Sequence, residues 1–139
     1  MNFLPEDDLE FLNTKGLAFE LKTEQLPDGN VRRGIVLPAL TFDGNLQCNN
    51  NGQVTRCSSC DLMILILKGY PTTKLDSFYT SPRLRRLDGT DPQNATAEEK
   101  IFGHTWQFWS RHLADAEWRP GIDGLETYLQ YVRGELRRA

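Results

Sequence analysis

The sequence is short of the residues that most often carry chemistry or span membranes. It has two histidines, two methionines and three cysteines among 139 residues, and its longest apolar run is Leu62 to Leu67. A membrane-spanning helix needs about 18–20 apolar residues. The opening residues MNFLPEDDLEFL carry acids where a secretory signal carries bases. We therefore expect a cytoplasmic protein with no membrane partner.

The chain also lacks an excess of positive charge. Its formal net charge is −3, and its basic clusters around Arg83–Arg86 and at the C-terminus are short, so we expect no nucleic-acid partner. An odd number of cysteines without an export signal argues against a disulfide framework. We expect free thiols, with metal ligation as the alternative.

What is present is typical of one folded domain, which we place at residues 1–139. The composition is 39% hydrophobic and 25% charged, as in globular proteins. A chain of this length buries roughly two thirds of its unfolded surface around one core.

Local patterns predict an α+β fold. Pro5 to Gly16 is typical of a helix with acids in its first turn. Alternation over residues 16–24 and the Asp-Gly in LPDGN predict a hairpin whose second strand covers 31–42. Pro38 indicates an edge position or a bulge in that strand. The Asn- and Gly-rich residues 43–59 are interpreted as a long loop or an irregular strand end.

The second half continues the sheet and ends in a helix. CDLMILILK predicts a central strand buried on both faces, and residues 76–82 predict a short one. Residues 83–100 are loop-like. Apolar residues recur at steps of three and four near the C-terminus, which predicts an amphipathic helix across the sheet: Ile122, Leu125, Leu129, Val132 and Leu136. The result is an antiparallel meander of about four strands with helices on one face.

The scarcest residues are concentrated between His104 and Gly121, HTWQFWSRHLADAEWRPG, which holds every tryptophan and histidine. If WQFWSRH is a strand, Trp106, Phe108 and Ser110 share one face; if it is a helix, Thr105, Trp109 and His112 do. We interpret Trp106 and Trp118 as packing residues.

Two motifs in this element order resemble the ubiquitin-conjugating enzyme superfamily. Tyr70-Pro71 closes the third strand and Trp118-Arg119-Pro120 precedes the final helix. FGHTWQFWSRH and WRPGIDGLETYL are more specifically similar to the prokaryotic conjugating-enzyme-like family E. The resemblance covers Pro5 to Leu136 and implies a ubiquitin-conjugating-enzyme-like fold. It also implies two partners, a ubiquitin-like protein, alone or in tandem repeats, and a ThiF-type activating enzyme, with no cofactor.

The chain departs from that family where the thioester cysteine belongs. Positions 108 to 110 are Phe, Trp and Ser, and no His-Pro-Asn precedes them; His104 is the nearest match and is kept as a catalytic candidate. An oxyester at Ser110 would transfer far more slowly than a thioester.

Three residues fill the position of the missing nucleophile, and we take Ser110, Arg111 and His112 as candidates. An Arg fork suits the carboxyl tail of a ubiquitin-like protein, and His112 suits a general base. The alternative is structural: His112 bonds a backbone carbonyl and Arg111 pairs with a nearby acid such as Asp115 or Asp123. The same groove gives our binding candidates: Tyr70, Pro71, Trp109, Trp118 and Arg119.

The cysteines leave two further alternatives. Cys48, Cys57 and Cys60 with a histidine would make a zinc site, or one of them carries a displaced thioester. We predict a conjugating-enzyme-like component, an atypical transferase or pseudoenzyme, that lacks the standard cysteine. A non-catalytic scaffold of the same complex is the alternative.

Overall fold

The computed structural model describes residues 3–139 except for the side chain of Asn50, so the first two residues of the predicted domain lie outside it. An N-terminal helix, a sheet and a C-terminal helix follow one another. Their bounds are α1 Glu6–Thr14, β1 Glu20–Gln25, β2 Val31–Asn50, β3 Gln53–Leu65, β4 Phe78–Ser81, β5 Arg85–Arg86, β6 Glu98–Ile101, β7 His104–Trp109 and α2 Leu125–Arg138. The predicted α+β class is confirmed. Neither helix of the described residues is long and apolar enough to cross a membrane.

All strands join one antiparallel sheet. Its order is β1-β2-β3-β4-β7-β6, with β5 paired to β2. The first four strands are the predicted meander, but the prediction of about four strands is wrong because the described sheet has seven. The sheet curls, and the β6–β7 turn brings Phe102 onto β2, where a Cβ at Gly34 would lie 2.6 Å from the Phe102 ring. Glycine permits that approach.

Residues 43–59, interpreted as a long hairpin loop or an irregular strand end, form the end of a long β2–β3 hairpin that lies nearest its turn. Asn51 and Gly52 take positive φ at its tip, which closes the two strands in a tight turn. Leu46 pairs with Cys57 across the hairpin and is fully buried. Periodicity missed these strands because few of their inward residues are apolar and a register shift between Thr41 and Leu46 interrupts the alternation.

Pro38 does lie at a bulge, as one of the two predicted alternatives requires. The β2–β3 register shifts between Leu37 and Leu40, and Ala39 has φ 53°. The backbone N–H of Ala39 donates to the Asp61 carboxylate at 2.9 Å instead of to the ladder. β2 is thus interrupted by a bulge just past Val36, where its pairing with β1 ends.

Residues 83–100 contain β5 and the start of β6 rather than only loop. The buried side chain of Gln107 on β7 binds this stretch through hydrogen bonds to its main chain. Its Oε1 accepts from the Leu84 N–H at 2.7 Å, and its Nε2 donates to the Leu84 and Ala95 carbonyls at 2.9 Å each. Thr80 Oγ1 also donates to Oε1 at 3.0 Å. The stretch is therefore fixed at both ends although it has few apolar residues.

The core lies on both faces of the sheet. Alternate residues Leu62 and Ile64 face the main cluster under the helices, while Met63 faces a smaller cluster with Tyr79 and Trp106. This confirms the predicted burial of β3 on both faces. The predicted helix α2 is confirmed, but Ile122 precedes it and is 68% exposed.

Candidate functional site

Ser110 to Trp118, here called the strap, links β7 to the loop before α2 and runs alongside residues 74–77. Ser77 Oγ donates to the Arg111 carbonyl at 3.0 Å and accepts from the Arg111 N–H at 3.1 Å. Lys74 Nζ donates to the Leu113 carbonyl and lies 3.3 Å from Asp115. The strap is therefore held against this segment mainly by polar contacts.

Arg111 is engaged inside the fold. Its Nε donates to Glu135 on α2 at 2.5 Å, its Nη1 donates to the Gln93 carbonyl at 3.0 Å, and its guanidinium lies 5.2 Å from the Trp109 ring centre. Only 13% of the side chain is exposed. The ion pair of the structural alternative exists, but its acid is Glu135 and not Asp115 or Asp123. The arginine joins the strap to α2.

His112 is exposed and meets a carboxylate that sequence reasoning did not select. Its Nδ1 lies 3.2 Å from Asp76 Oδ2, and 73% of the side chain is exposed. Its partner is a carboxylate, not the backbone carbonyl of the structural alternative. Within residues 3–139 its Nε2 has no hydrogen-bond partner. Asp76 has no motif around it and lies far from His112 in the chain, so no sequence signal links the two.

Ser110 starts the strap, and His104 lies away from it. The Ser110 N–H donates to the Asn94 carbonyl at 2.9 Å. His104 begins β7, and its Nε2 lies 3.0 Å from Ser81 Oγ while its ring stands edge-on to Trp106. Since β7 rises about 3.4 Å per residue, His104 and Ser110 are about 20 Å apart. The structure brings Ser110, Arg111 and His112 together and leaves His104 elsewhere.

The two motif pieces, Tyr70-Pro71 and Trp118, come into contact. The Trp118 indole N–H donates to the Pro71 carbonyl at 2.9 Å, and the rings of Tyr70 and Trp118 lie 6.3 Å apart. Arg119 is exposed and pairs with Asp123 at 2.9 Å, which lowers the pKa of that carboxyl. Trp118 is buried and anchors the end of the strap.

A buried carboxylate, Asp8 of α1, supports this anchor. Tyr70 OH donates to its Oδ2 at 2.5 Å, and the Leu125 N–H at the start of α2 donates to its Oδ1 at 3.1 Å. Both oxygens thus have donors, and one of them caps α2. Burial nevertheless raises the pKa of Asp8 above its ordinary value of 3.8.

The cysteines differ from the sequence prediction of free thiols. Cys48 and Cys57 form a disulfide between β2 and β3, and Cys60 is free and buried. The pairing arises because the hairpin brings the two side chains together across its strands. It occupies two of the three sulfur ligands of the zinc alternative, and within the described residues no group of three or more His, Cys, Asp or Glu is placed to hold a metal.

The chain also matches a known protein family. Residues 4–139 match the Prokaryotic E2 family E. No curated protein and no solved structure matches the chain.

Proposed function

We propose that this chain, which belongs to Prokaryotic E2 family E, works without a thioester cysteine. Membership of the family confirms the resemblance and indicates a conjugating-enzyme-like role. In the proposed function the chain serves a bacterial ubiquitin-like modification pathway. Its partners in this proposal are a ubiquitin-like protein, single or in tandem, and a ThiF-type activating enzyme. The strap replaces the loop that carries the nucleophile in conjugating enzymes.

The state of the cysteines is the observation that carries the proposal. A thioester forms by attack of a thiolate, and the sulfurs of Cys48 and Cys57 are bonded to each other. Cys60 is 3% exposed, and burial raises the pKa of its thiol to about 12. Its thiolate fraction at neutral pH is therefore very small. This argues against the displaced-thioester alternative at all three positions.

The strap supplies different chemistry. His112 places an exposed imidazole, a group that can serve as a general base, on the strap, and the adjacent Ser110 supplies a hydroxyl. Arg111 holds the strap rather than a partner's carboxylate, because its Nε and Nη1 already have acceptors. In the proposed role, the acyl group of the ubiquitin-like protein stays activated on the partner enzyme, and this protein assists its transfer to an amine.

The test is reconstitution of transfer from purified components. The protein is mixed with the activating enzyme, ATP and the ubiquitin-like protein, and products are separated with and without reducing agent. We expect modified target but no reducible adduct on this chain, with C60S behaving as wild type. A reducible adduct that disappears in C48S, C57S or C60S would overturn the proposal.

The engagement of Arg111 within the fold favours one alternative, a non-catalytic scaffold. H112A separates the two functions, because His112 is largely exposed and its removal leaves the strap contacts of Arg111 in place. A scaffold keeps both partner binding and target modification in H112A. An assisting role keeps binding and loses most of the modification.

A further inference from the structure

We propose that Asp76 is a positioning residue for His112: its carboxylate fixes the proton on Nδ1 and leaves the Nε2 lone pair facing solvent at the strap. This inference rests on the proposed function for its role in transfer. The underlying geometry is a single contact, Asp76 Oδ2 to His112 Nδ1 at 3.2 Å.

The main chain at Asp76 is fixed from both sides. Tyr128 OH on α2 donates to the Asp76 carbonyl, and the next residue, Ser77, bonds both the N–H and the carbonyl of Arg111. Leu75, on the other side, is fully buried. These contacts hold the carboxylate beside the strap whether or not His112 is present.

The Asp76 carboxylate has different surroundings at its two oxygens. Oδ1 is buried and has no hydrogen-bond partner among the described residues, while Oδ2 faces His112. A buried carboxylate oxygen without a donor is costly, and nothing else in the described chain uses this carboxylate. A buried polar atom without a partner calls for an explanation, and a catalytic role is one of those known.

A carboxylate determines which nitrogen of a neutral imidazole carries the proton. It accepts hydrogen bonds and donates none, so Nδ1 must be the donor and Nε2 the acceptor. The same orientation by a carboxylate is used in Ser-His-Asp hydrolases. Since Nε2 is exposed and has no hydrogen-bond partner within residues 3–139, the basic nitrogen of His112 is directed outward, where a partner's amine can reach it.

The transfer step then balances in ordinary acyl chemistry. A target amine attacks the acyl carbon that the activating enzyme holds as an adenylate or thioester. The C–N bond forms, Nε2 of His112 accepts the proton lost by the amine, and the bond to the leaving group breaks with its electron pair. Asp76 touches none of the reacting atoms and stabilises the imidazolium that results.

His104 offers an internal comparison. Its ring also makes one hydrogen bond, but the partner is Ser81 Oγ at 3.0 Å. A hydroxyl both donates and accepts, so it does not impose one tautomer. The two histidines of the chain thus differ in the partner that defines the proton position.

The experiment is ¹⁵N NMR of both imidazoles in the full chain at a pH where they are neutral. We expect His112 to show a protonated Nδ1 and an unprotonated Nε2 in wild type, and a mixture of tautomers in D76A. D76N serves as a second variant that keeps the side-chain shape. D43A, at an exposed carboxylate on β2, should leave His112 unchanged, and unchanged His104 signals show that each variant is folded.

Two NMR results overturn the inference. One is a tautomer mixture at His112 in wild type, and the other is a wild-type His112 spectrum in both D76A and D76N.

The reconstituted reaction gives a kinetic test. D76A should lower the maximal rate by at least about tenfold with little change in the concentration of ubiquitin-like protein that half-saturates the reaction. Loss of transfer in H112A but not in D76A would also overturn the inference. If wild type and every variant fail to support transfer, the proposed function is overturned instead. The tautomer inference is then still tested, because NMR measures the tautomer without the transfer reaction.

Discussion

Asp8 and Asp76 each join distant parts of the chain, but their carboxylates are used differently. Asp8 is 5% exposed, and both its oxygens accept hydrogen bonds, from Tyr70 and from the first turn of α2. Asp76 is 32% exposed at its side chain, with one oxygen facing an exposed histidine and the other buried without a partner. Both carboxylate oxygens of Asp8 have hydrogen-bond partners within the fold, whereas only one oxygen of Asp76 has a partner among the described residues.

The difference separates a structural role from a positioning role. Removing Asp8 leaves two buried donors without acceptors, which costs stability. Removing Asp76 leaves no buried donor without an acceptor, because Tyr128 bonds its main-chain oxygen, and His112 is exposed to water. Substitutions at the two positions should therefore affect different measurements.

The largest effect is expected at Asp8. D8A should lower the free energy of unfolding by about 2–4 kcal/mol, because the Leu125 N–H and the Tyr70 hydroxyl lose their acceptor. Urea unfolding followed by tryptophan fluorescence measures it. D7A, at the exposed neighbouring carboxylate, is the control and should change stability by less than about 0.5 kcal/mol. A D8A loss no larger than that of D7A would contradict the structural role.

A smaller loss is expected when only one donor to Asp8 is removed. Y70F should cost about 1–2 kcal/mol, since Oδ2 then remains buried with no donor. The same unfolding measurement applies, with Y131F as the control because the Tyr131 hydroxyl makes no hydrogen bond within the described part of the chain. Equal losses in the two variants would show that the Tyr70 hydroxyl is not supporting Asp8.

Asp8 also predicts a pH dependence. Its folded pKa is raised above 3.8 by burial, so the folded protein binds this proton more tightly than the unfolded chain does. Stability from Asp8 is then greatest below about pH 4 and falls as pH rises through the raised pKa. Unfolding of wild type and D8N from pH 3 to 7 should show wild type losing stability relative to D8N as pH rises. A relative gain would contradict the sign.

The smallest stability effect is expected at Asp76. D76A should change the free energy of unfolding by less than about 0.5 kcal/mol, because a salt bridge to an exposed partner contributes little and the buried Oδ1 is removed. The measurement is again urea unfolding, compared directly with D8A. A loss above about 2 kcal/mol would place Asp76 with Asp8 as a structural residue.

The sequence was most informative where apolar periodicity was strong. It predicted α1, the first four strands and α2, each with a repeating apolar face, and a bulge at Pro38 was one of its two alternatives. For residues 43–59 it offered a hairpin loop or an irregular strand end and did not identify the regular pairing that Asn51-Gly52 closes, and it missed β5 and β6. Those strands are ordered by pairing with β2 and β7, and the residues between them are held by Gln107, whose buried amide resembles any other glutamine in the sequence.

The candidate site was predicted in part, for a similar reason. Adjacent residues Ser110, Arg111 and His112 were selected from one string, and the structure keeps them together on the strap. Their partners Asp76 and Glu135 come from other elements and belong to no motif, so only the folded chain identifies them. The role of these candidates stays a prediction.

The amide of Gln107 has a further consequence for where the chain tolerates change. It binds Leu84 and Ala95 to β7, so the residues between them form a segment whose two ends are held together. Lengthening such a segment adds little entropic cost. Its turn at Gly89 is exposed, and a Cβ at that position would meet no described atom within 4 Å. A fluorophore or short peptide inserted there would leave the hydrogen bonds of Gln107 to Leu84 and Ala95 in place.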